Sequence, residues 1–406
     1  MATLPEIRVE APETRALADQ LISELPSLAQ GMFDFLTARI PEIALDEELR
    51  GLTLASCMSS IEVGMTMVRH GIPAERTEAP VASLEHARAM AARGLSIDDT
   101  LRFYRLGHAY FWDLWIAALS ASVTDIARLS DLLRETASFM FAYTDIVSTQ
   151  VSVELLAERD RRQRRITAQR EEVVAAILAG EPVDAAAAER TLGFTFSPRH
   201  VAFICWTTGD AADLEAAALE FAASLGPGRP LLVAHGGAEI SGWQAADGTP
   251  APAPAPPPGV RIATGSAQRG IDGFRATHDE AHRAQRFAQL ASRAAEPITR
   301  FEDIRYLDLL TRDLPAARAF VAEELGALAR DDERARRLRE FLSVLLTHDG
   351  NATATAAALG LHRNTARQRL ERAEELRGRP VTQHGAELRA ALAIAEALGD
   401  EVLAPA

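Results

Sequence analysis

Between His362 and Arg372 the chain reads HRNTARQRLER. His362, Arg363, Asn364, Thr365, Arg367, Gln368, Arg369 and Arg372 therefore stand close together. These residue types share one chemistry. Arginine forks onto the acceptor edge of guanine, and asparagine or glutamine pairs with adenine. Arginine and threonine also bind phosphate oxygens. The spacing predicts a helix from about Arg363 to Leu376. On its wheel Ala366, Leu370, Ala373 and Leu376 form one apolar arc, with Asn364, Arg367 and Gln368 on or near the opposite side. Arg363 projects from the N-terminal end, the end that recognition helices present to base edges. Thr365 suits a phosphate or a thymine methyl, and Arg369 and Arg372 flank the wheel at positions suited to phosphate. The helix N-terminus itself favours an anion. His362 has two readings, a cap at the helix entry or a contact to the nucleic-acid backbone. Glu371, Glu374 and Glu375 should face away or repel, which confines contact to the first two turns. Amphipathic arginine helices are common, and an ordinary helical hairpin satisfies the wheel equally well.

The residues just before supply a way to position such a helix. Ala352 to Leu359 reads as a short helix of small residues, with Gly360 placed for a left-handed cap. Leu361 should plug the core, and Ala356 and Ala357 permit close approach of the two helices. Short helix, glycine turn and second helix give a helix-turn-helix layout. Upstream, Leu338, Phe341, Leu342, Leu345 and Leu346 make an apolar stripe. Downstream, Leu388, Ala391, Leu392, Ala395 and Leu398 make another.

Charge sets a condition on this reading. The 406 residues include 43 basic and 57 acidic side chains, a net charge of −14. Such a body repels nucleic acid, so binding needs a local basic patch. Arg363 to Arg379 holds six arginines against three glutamates, a local +3. Cys57 and Cys205 are the only cysteines, without CxxC or Cys/His spacing, which argues against a disulfide framework and a zinc site. No apolar run approaches the roughly 20 residues of a bilayer span. MATLPEIRVEAPETR lacks a secretory pattern. A reducing cytosol and no membrane association are expected.

The length favours two or three domains. Residues 1–150 read as a helical domain. Ser96 and Asp99 mark a helix start, and Leu101, Tyr104, Leu106, Tyr110 and Leu114 follow at helical spacing. Five aromatics fall between Phe103 and Trp112, with Trp115 after them, either a buried core helix or the lining of a ligand pocket. Residues 151–194 read as a helical linker, whose charged centre, Glu158 to Glu172, suits a solvated helix that links domains or pairs in a dimer. Residues 195–310 read as α/β, with strands at 200–208, 229–237 and 259–266 and a helix from about Phe274 to Ala294. The Pro/Ala-rich stretch from Gly248 to Gly259 should be an extended, disordered loop. Residues 311–406 read as a helical connector followed by the helix-turn-helix.

The stretch GNATATAAALGLHRNTARQRLERAEELRGRPV resembles the C-terminal helix-turn-helix of the PucR/CdaR family of bacterial transcription regulators. Gly350, Asn351, Leu359, His362, Arg363, Asn364, Thr365, Arg369 and Leu370 occupy matching places over about 65 residues. Ala366 and Gln368 depart from it, standing where relatives carry a larger apolar residue and a tyrosine. The middle region is similar to that family's GGDEF-like domain. Where active diguanylate cyclases place an acid after a Gly-Gly pair, HGGAEIS has Ala238, and AFICWTTGD offers no clear carboxylate for a metal. The Gly236-Gly237 pair is expected to form a plain β-turn, without cyclase activity. GLSIDDTLRFYRLGHAYFWDLW is similar to RsbR-type N-terminal domains, which resemble globins without haem. Nothing in the spacing of His70, His86 and His108 picks out a haem ligand.

The resemblance thus implies a multidomain fold of α plus α/β: a helical RsbR-like domain, a degenerate GGDEF-like α/β domain and an all-α, Fis-like helix-turn-helix. It implies a metabolite- or signal-responsive transcriptional regulator that binds double-stranded DNA through residues 363–376 and is not an enzyme. No metal or cofactor is expected. A homodimer or higher homo-oligomer would address half-sites roughly one helical turn apart, and a small-molecule effector would shift its domains. The alternative is a stressosome-like scaffold acting through protein contacts.

Overall fold

The computed structural model describes residues 6–207, 213–246, 252–291 and 296–405. It divides into two compact units, Met1–Ala168 and Gln169–Ala406. The first is helical: α1 (Pro12–Ser23), α2 (Leu25–Thr37), α3 (Glu47–His70), α4 (Val81–Ala92), α5 (Ile97–Ser122) and α6 (Ile126–Ala179), which runs on into the second unit. The helix starts follow from capping. Asp46 accepts from the Leu49 N–H at 2.8 Å. Ser96 and Asp99 form a reciprocal capping box, with bonds of 3.1 and 2.9 Å. The core is built from Leu36, Ile43, Leu49, Met65, Trp115, Phe139 and Leu155.

The core-facing side of α5 is Phe103, Tyr104, Gly107, Phe111 and Trp115, whereas Leu101, Leu106, Tyr110 and Leu114 are only half-buried. One expectation needs correction here: α3 is long and apolar enough, by length and composition, to cross a membrane. Small polar residues break its hydrophobicity in the sequence, and Leu49, Cys57, Ile61, Met65 and Val68 face the core of the unit.

Along α6, Leu132, Phe139, Val147, Val151 and Leu155 are buried, and then 160–169 are exposed without interruption. Arg161 bridges Glu154 at 2.7 Å and Glu158 at 2.8 Å, and Arg164 pairs with Asp160. The charged stretch is a solvated helix held by its own ion pairs.

The second unit opens with α7 (Ala185–Leu192) and continues β1 (His200–Thr207), α8 (Leu214–Leu225), β2 (Leu231–His235), β3 (Glu239–Ala245), β4 (Val260–Thr264), α9 (Gly270–Leu290) and β5 (Ile298–Arg300). The strand order is β2-β3-β1-β4-β5, antiparallel except for the β4/β5 pair. β1 is central and buried along almost its whole length, as its continuous apolar run requires. Alternate residues face opposite layers. Ala202, Ile204 and Trp206 join the larger core, while Phe203 and Cys205 pack with Phe221 of α8. Trp243 stacks on Phe274 of α9 at 4.3 Å and donates its Nε1–H to the Phe274 carbonyl. The sequence reading missed β3, whose EISGWQA lacks a clean alternation, and the three-residue β5. Of the Pro/Ala-rich stretch, 248–251 lies outside the described residues. From 252 to 259 it is irregular, and Ala253 packs against the α8 core.

Helices α10 (Phe301–Leu310), α11 (Leu314–Leu325), α12 (Glu333–Thr347), α13 (Ala352–Ala358), α14 (Arg363–Arg377) and α15 (Gly385–Leu398) complete the unit. Buried Asp308 on α10 accepts from Arg283 Nε at 2.9 Å and Arg286 Nη2 at 3.1 Å, joining it to α9. One continuous core then runs from the sheet through Val321 and Phe341 to Leu388 and Leu392.

At Gly242 on β3, a Cβ would lie 2.2 Å from the Phe203 ring, which the central strand cannot move aside. Gly242→Ala should therefore destabilise the second unit by about 1–3 kcal/mol, as overpacked cores do. Urea unfolding read by tryptophan fluorescence checks this, and an unchanged midpoint would show that the sheet yields freely.

Candidate nucleic-acid interface

Helix α13 begins where Asn351 accepts the Thr353 and Ala354 N–H groups at 3.0 and 3.1 Å. It ends in a Schellman turn: the Leu361 N–H donates to the Ala356 carbonyl at 2.8 Å and the Gly360 N–H to that of Ala357 at 3.2 Å. Gly360 has φ +63°, the left-handed region the turn demands. Leu361 packs against the core beside buried Ala356. His362 then caps α14, its Nδ1 accepting the Asn364 N–H at 3.2 Å. Of its two readings the cap is the one realised within the chain.

Ala366 and Ala373 are fully buried, and Leu370 and Leu376 pack against the same core. The opposite face displays Arg363, Asn364, Arg367 and Gln368 to solvent, while Thr365, Arg369 and Arg372 are half-buried at its flank. All the singled-out residues except the cap His362 thus sit on one helix, on its open face or its edge. Thr365, Gln368, Arg369 and Arg372 also line a groove of about 500 Å³ whose far wall is Glu333, Arg334, Arg337 and Leu338 of α12. Arg372 Nε is buried there without a hydrogen-bond partner. Arg334 and Arg337 were missed in the sequence. They border the Leu338/Phe341 stripe, and only the packing of α12 on α14 brings them beside the basic helix.

The local +3 needs correction, because charge counting ignores what each arginine is already doing. Arg377 is buried at the end of α14. It donates to Glu324 Oε2 and to the Glu324 and Gln383 carbonyls, each at 3.0 Å, and to the Pro380 carbonyl at 2.7 Å. Arg379 pairs with Glu324 Oε1 at 3.0 Å. Both anchor the helix to α11 and do not join its open face. The glutamates are likewise engaged. Glu371 lies 3.6 Å from Arg367, Glu375 pairs with Arg372, and Glu374 accepts the Val381 N–H at 2.9 Å.

Residues 338–395 match the PucR C-terminal helix-turn-helix domain. The chain carries a PucR-type helix-turn-helix. Residues 26–173 match the RsbT co-antagonist protein rsbRD N-terminal domain, and residues 178–287 match the GGDEF-like domain. The Transcriptional activator PmfR of Paenarthrobacter nicotinovorans is 44% identical over 75 residues, 18% of this chain and 16% of that protein. The "Uncharacterized protein in pkwA 5'region" of Thermomonospora curvata is 47% identical over 58 residues, 14% of this chain. The chain thus spans only 16% and 32% of the lengths of these curated relatives. Among solved structures, the Regulator of Polyketide Synthase Expression from Bifidobacterium adolescentis aligns at 20% identity over 57% of this chain and 93% of that one, with a TM-score of 0.29.

In the GGDEF-like domain, Gly236, Gly237 and Ala238 form the turn of the β2/β3 hairpin, closed by the His235–Glu239 pairing. Glu239 accepts from Gln285 of α9 at 2.5 Å. Asp210, in the segment considered for a metal carboxylate, lies outside the described residues.

Glu324 should make the PucR-type helix-turn-helix sensitive to acid. Burial alone would raise its carboxyl pKa, but the Arg377 hydrogen bond, the His384 contact and the charge of Arg379 outweigh it, and the group titrates below its usual range. A depressed carboxylate contributes stability above its unfolded pKa, near 4.3, and loses it as pH falls through the folded value. Glu324→Gln should cost about 3 kcal/mol at neutral pH by leaving the Arg377 charge uncompensated. The difference should shrink as pH falls below about 4. Urea midpoints of both proteins across pH 3–7 check this; a difference independent of pH would remove the carboxylate from the explanation.

Proposed function

We propose that the chain is a sequence-specific transcriptional regulator whose α14 enters the major groove of double-stranded DNA. The observation that carries this reading is the display of Arg363, Asn364, Arg367 and Gln368 on the open N-terminal turns of a helix held from behind by Ala366, Ala373 and buried Arg377. These four side chains are assigned to base edges. Thr365, Arg369 and Arg372, with Arg334 and Arg337 across the groove, are assigned to phosphates. His362 serves chiefly as the cap that sets the entry of the helix. The match to a stretch of a transcriptional activator supports the same reading.

Residues 311–406 then form the DNA-binding part, 195–310 the GGDEF-like domain, 151–194 the linker and 1–150 a sensing or interaction domain. The protein acts in the cytosol as a homodimer or higher homo-oligomer and answers to a small-molecule effector or another signal. The GGDEF-like domain is not a cyclase, since Ala238 stands in its hairpin where the resemblance calls for an acid.

Capture of genomic fragments on the purified protein at moderate salt tests the reading. Wild type should enrich a few promoter fragments, and the Arg363→Ala/Arg367→Ala protein should enrich none. Retained selectivity in the double variant would remove α14 from recognition. Incubation with GTP and Mg²⁺ should yield no cyclic dinucleotide, and its formation would overturn the non-catalytic assignment.

A further inference from the structure

The helical unit contains a cavity of about 70 Å³ among α2, α3, α5 and α6. Its walls are largely apolar. Met32, Met65 and Met140 contribute flexible thioethers that adapt to a guest, and Phe103 and Phe111 contribute ring faces.

Three features separate this cavity from a packing defect. First, two helix-interior glycines line it, Gly64 on α3 and Gly107 on α5. A Cβ on Gly64 would sit 3.6 Å from the Tyr143 ring, and one on Gly107 would sit 3.7 Å from Met32 Sδ. Both are ordinary contacts, so alanine would fit and would favour the helix. What glycine preserves at these positions is empty volume. Second, two residues of the lining carry buried polar atoms without a well-formed partner. Tyr104 is 8% exposed, and its hydroxyl makes no well-formed hydrogen bond, although it lies beside the Ser56 and Ser83 hydroxyls, which bond to each other at 3.1 Å. His108 holds Thr144 Oγ1 through Nδ1 at 2.9 Å, leaving Nε2 buried without a partner. Unmet polar groups of this kind are costly unless something satisfies them. Third, Tyr104 and His108 are four apart on α5 and so lie on one face.

The site favours neutral chemistry. Burial pushes the Tyr104 phenol up to about 12 and lowers the His108 pKa, so both stay uncharged at neutral pH. No carboxylate, lysine or arginine lines the walls, and an ionised guest would lose its hydration without a counter-charge. The volume is also far below that of a porphyrin. Of the three histidines weighed as haem ligands, only His108 lines the cavity. His70 is exposed at the end of α3, and buried His86 lies within 3.1 Å of Thr53 Oγ1.

We propose that this cavity, widened by rotation of its methionine side chains, admits an uncharged molecule no larger than one ring, whose single hydroxyl or carbonyl group reaches His108 Nε2 and the Tyr104 hydroxyl. Binding here stands independently of DNA recognition. Its use as the effector site rests on the regulator reading.

The test is a titration of the full chain, labelled at methionine methyls, by NMR. Phenol is the probe, toluene lacks the polar group and benzoate carries a charge. Phenol should shift the Met32, Met65 and Met140 methyls saturably, and benzoate should not. Tyr104→Phe, which keeps shape, should weaken phenol roughly fivefold to tenfold, the worth of one hydrogen bond, and leave toluene unchanged. Gly107→Ala should keep the fold and weaken both. The inference fails if phenol leaves these methyls unmoved, if benzoate binds as well as phenol, or if both variants bind phenol like wild type. Fragment capture without ligand is a separate readout, so loss of DNA binding alone leaves this result intact.

Discussion

The C-terminal half depends on one buried ion pair. Arg377 closes α14 and Glu324 closes α11, and both side chains are almost wholly withdrawn from water. A buried charge pair is tolerable only when its remaining donors and acceptors are also met. Arg377 meets this condition by donating to three backbone carbonyls besides the carboxylate. Those carbonyls belong to the end of α11 and to the loop that carries the chain into α15. A single guanidinium therefore fixes the last turn of α14, the loop after it and the helix behind it. With its C-terminal end held, and its N-terminal end set by the Schellman turn and the His362 cap, α14 has a fixed roll about its axis. That roll decides which side chains are open to solvent.

The same economy governs charge. An acidic chain that is to approach DNA cannot rely on total arginine count, because buried or paired arginines contribute little field outside. Two of the arginines in the basic stretch are spent on anchoring. Arg367 and Arg372 have intrahelical glutamate partners, which surface exposure makes weak and exchangeable. On the proposed reading a phosphate or a guanine displaces those carboxylates at small cost. The groove between α12 and α14 adds Arg334 to the same side, together with Arg337, whose exposed pair with Glu333 is as exchangeable as the others.

Much of this was legible in the sequence. The glycine turn, the apolar arc of α14 and the stripes of α12 and α15 are set by local spacing, and local spacing survives folding. The Ser96/Asp99 capping box is equally local. What escaped was set by long-range packing. Which face of α5 is buried is not set by spacing alone, because burial, not hydrophobicity, distinguishes Phe103 from Leu106. Strand β3 was hidden because Gly242 and Ser241 are dictated by Phe203 and His235 across the sheet. The anchoring role of Arg377 was invisible because Glu324 lies 53 positions earlier. The helix was therefore readable, while its charge and its groove were not.

The most direct test of base reading by α14 is a scan of a captured fragment with single 7-deazapurine substitutions, which remove the N7 acceptor that arginine, asparagine and glutamine address. Wild type should lose affinity at a few purines. At some of these the Arg363→Ala, Asn364→Ala or Arg367→Ala protein should no longer notice the substitution. If no purine matters more than its neighbours, or if each variant merely weakens binding evenly at every position, α14 holds the backbone and reads no bases.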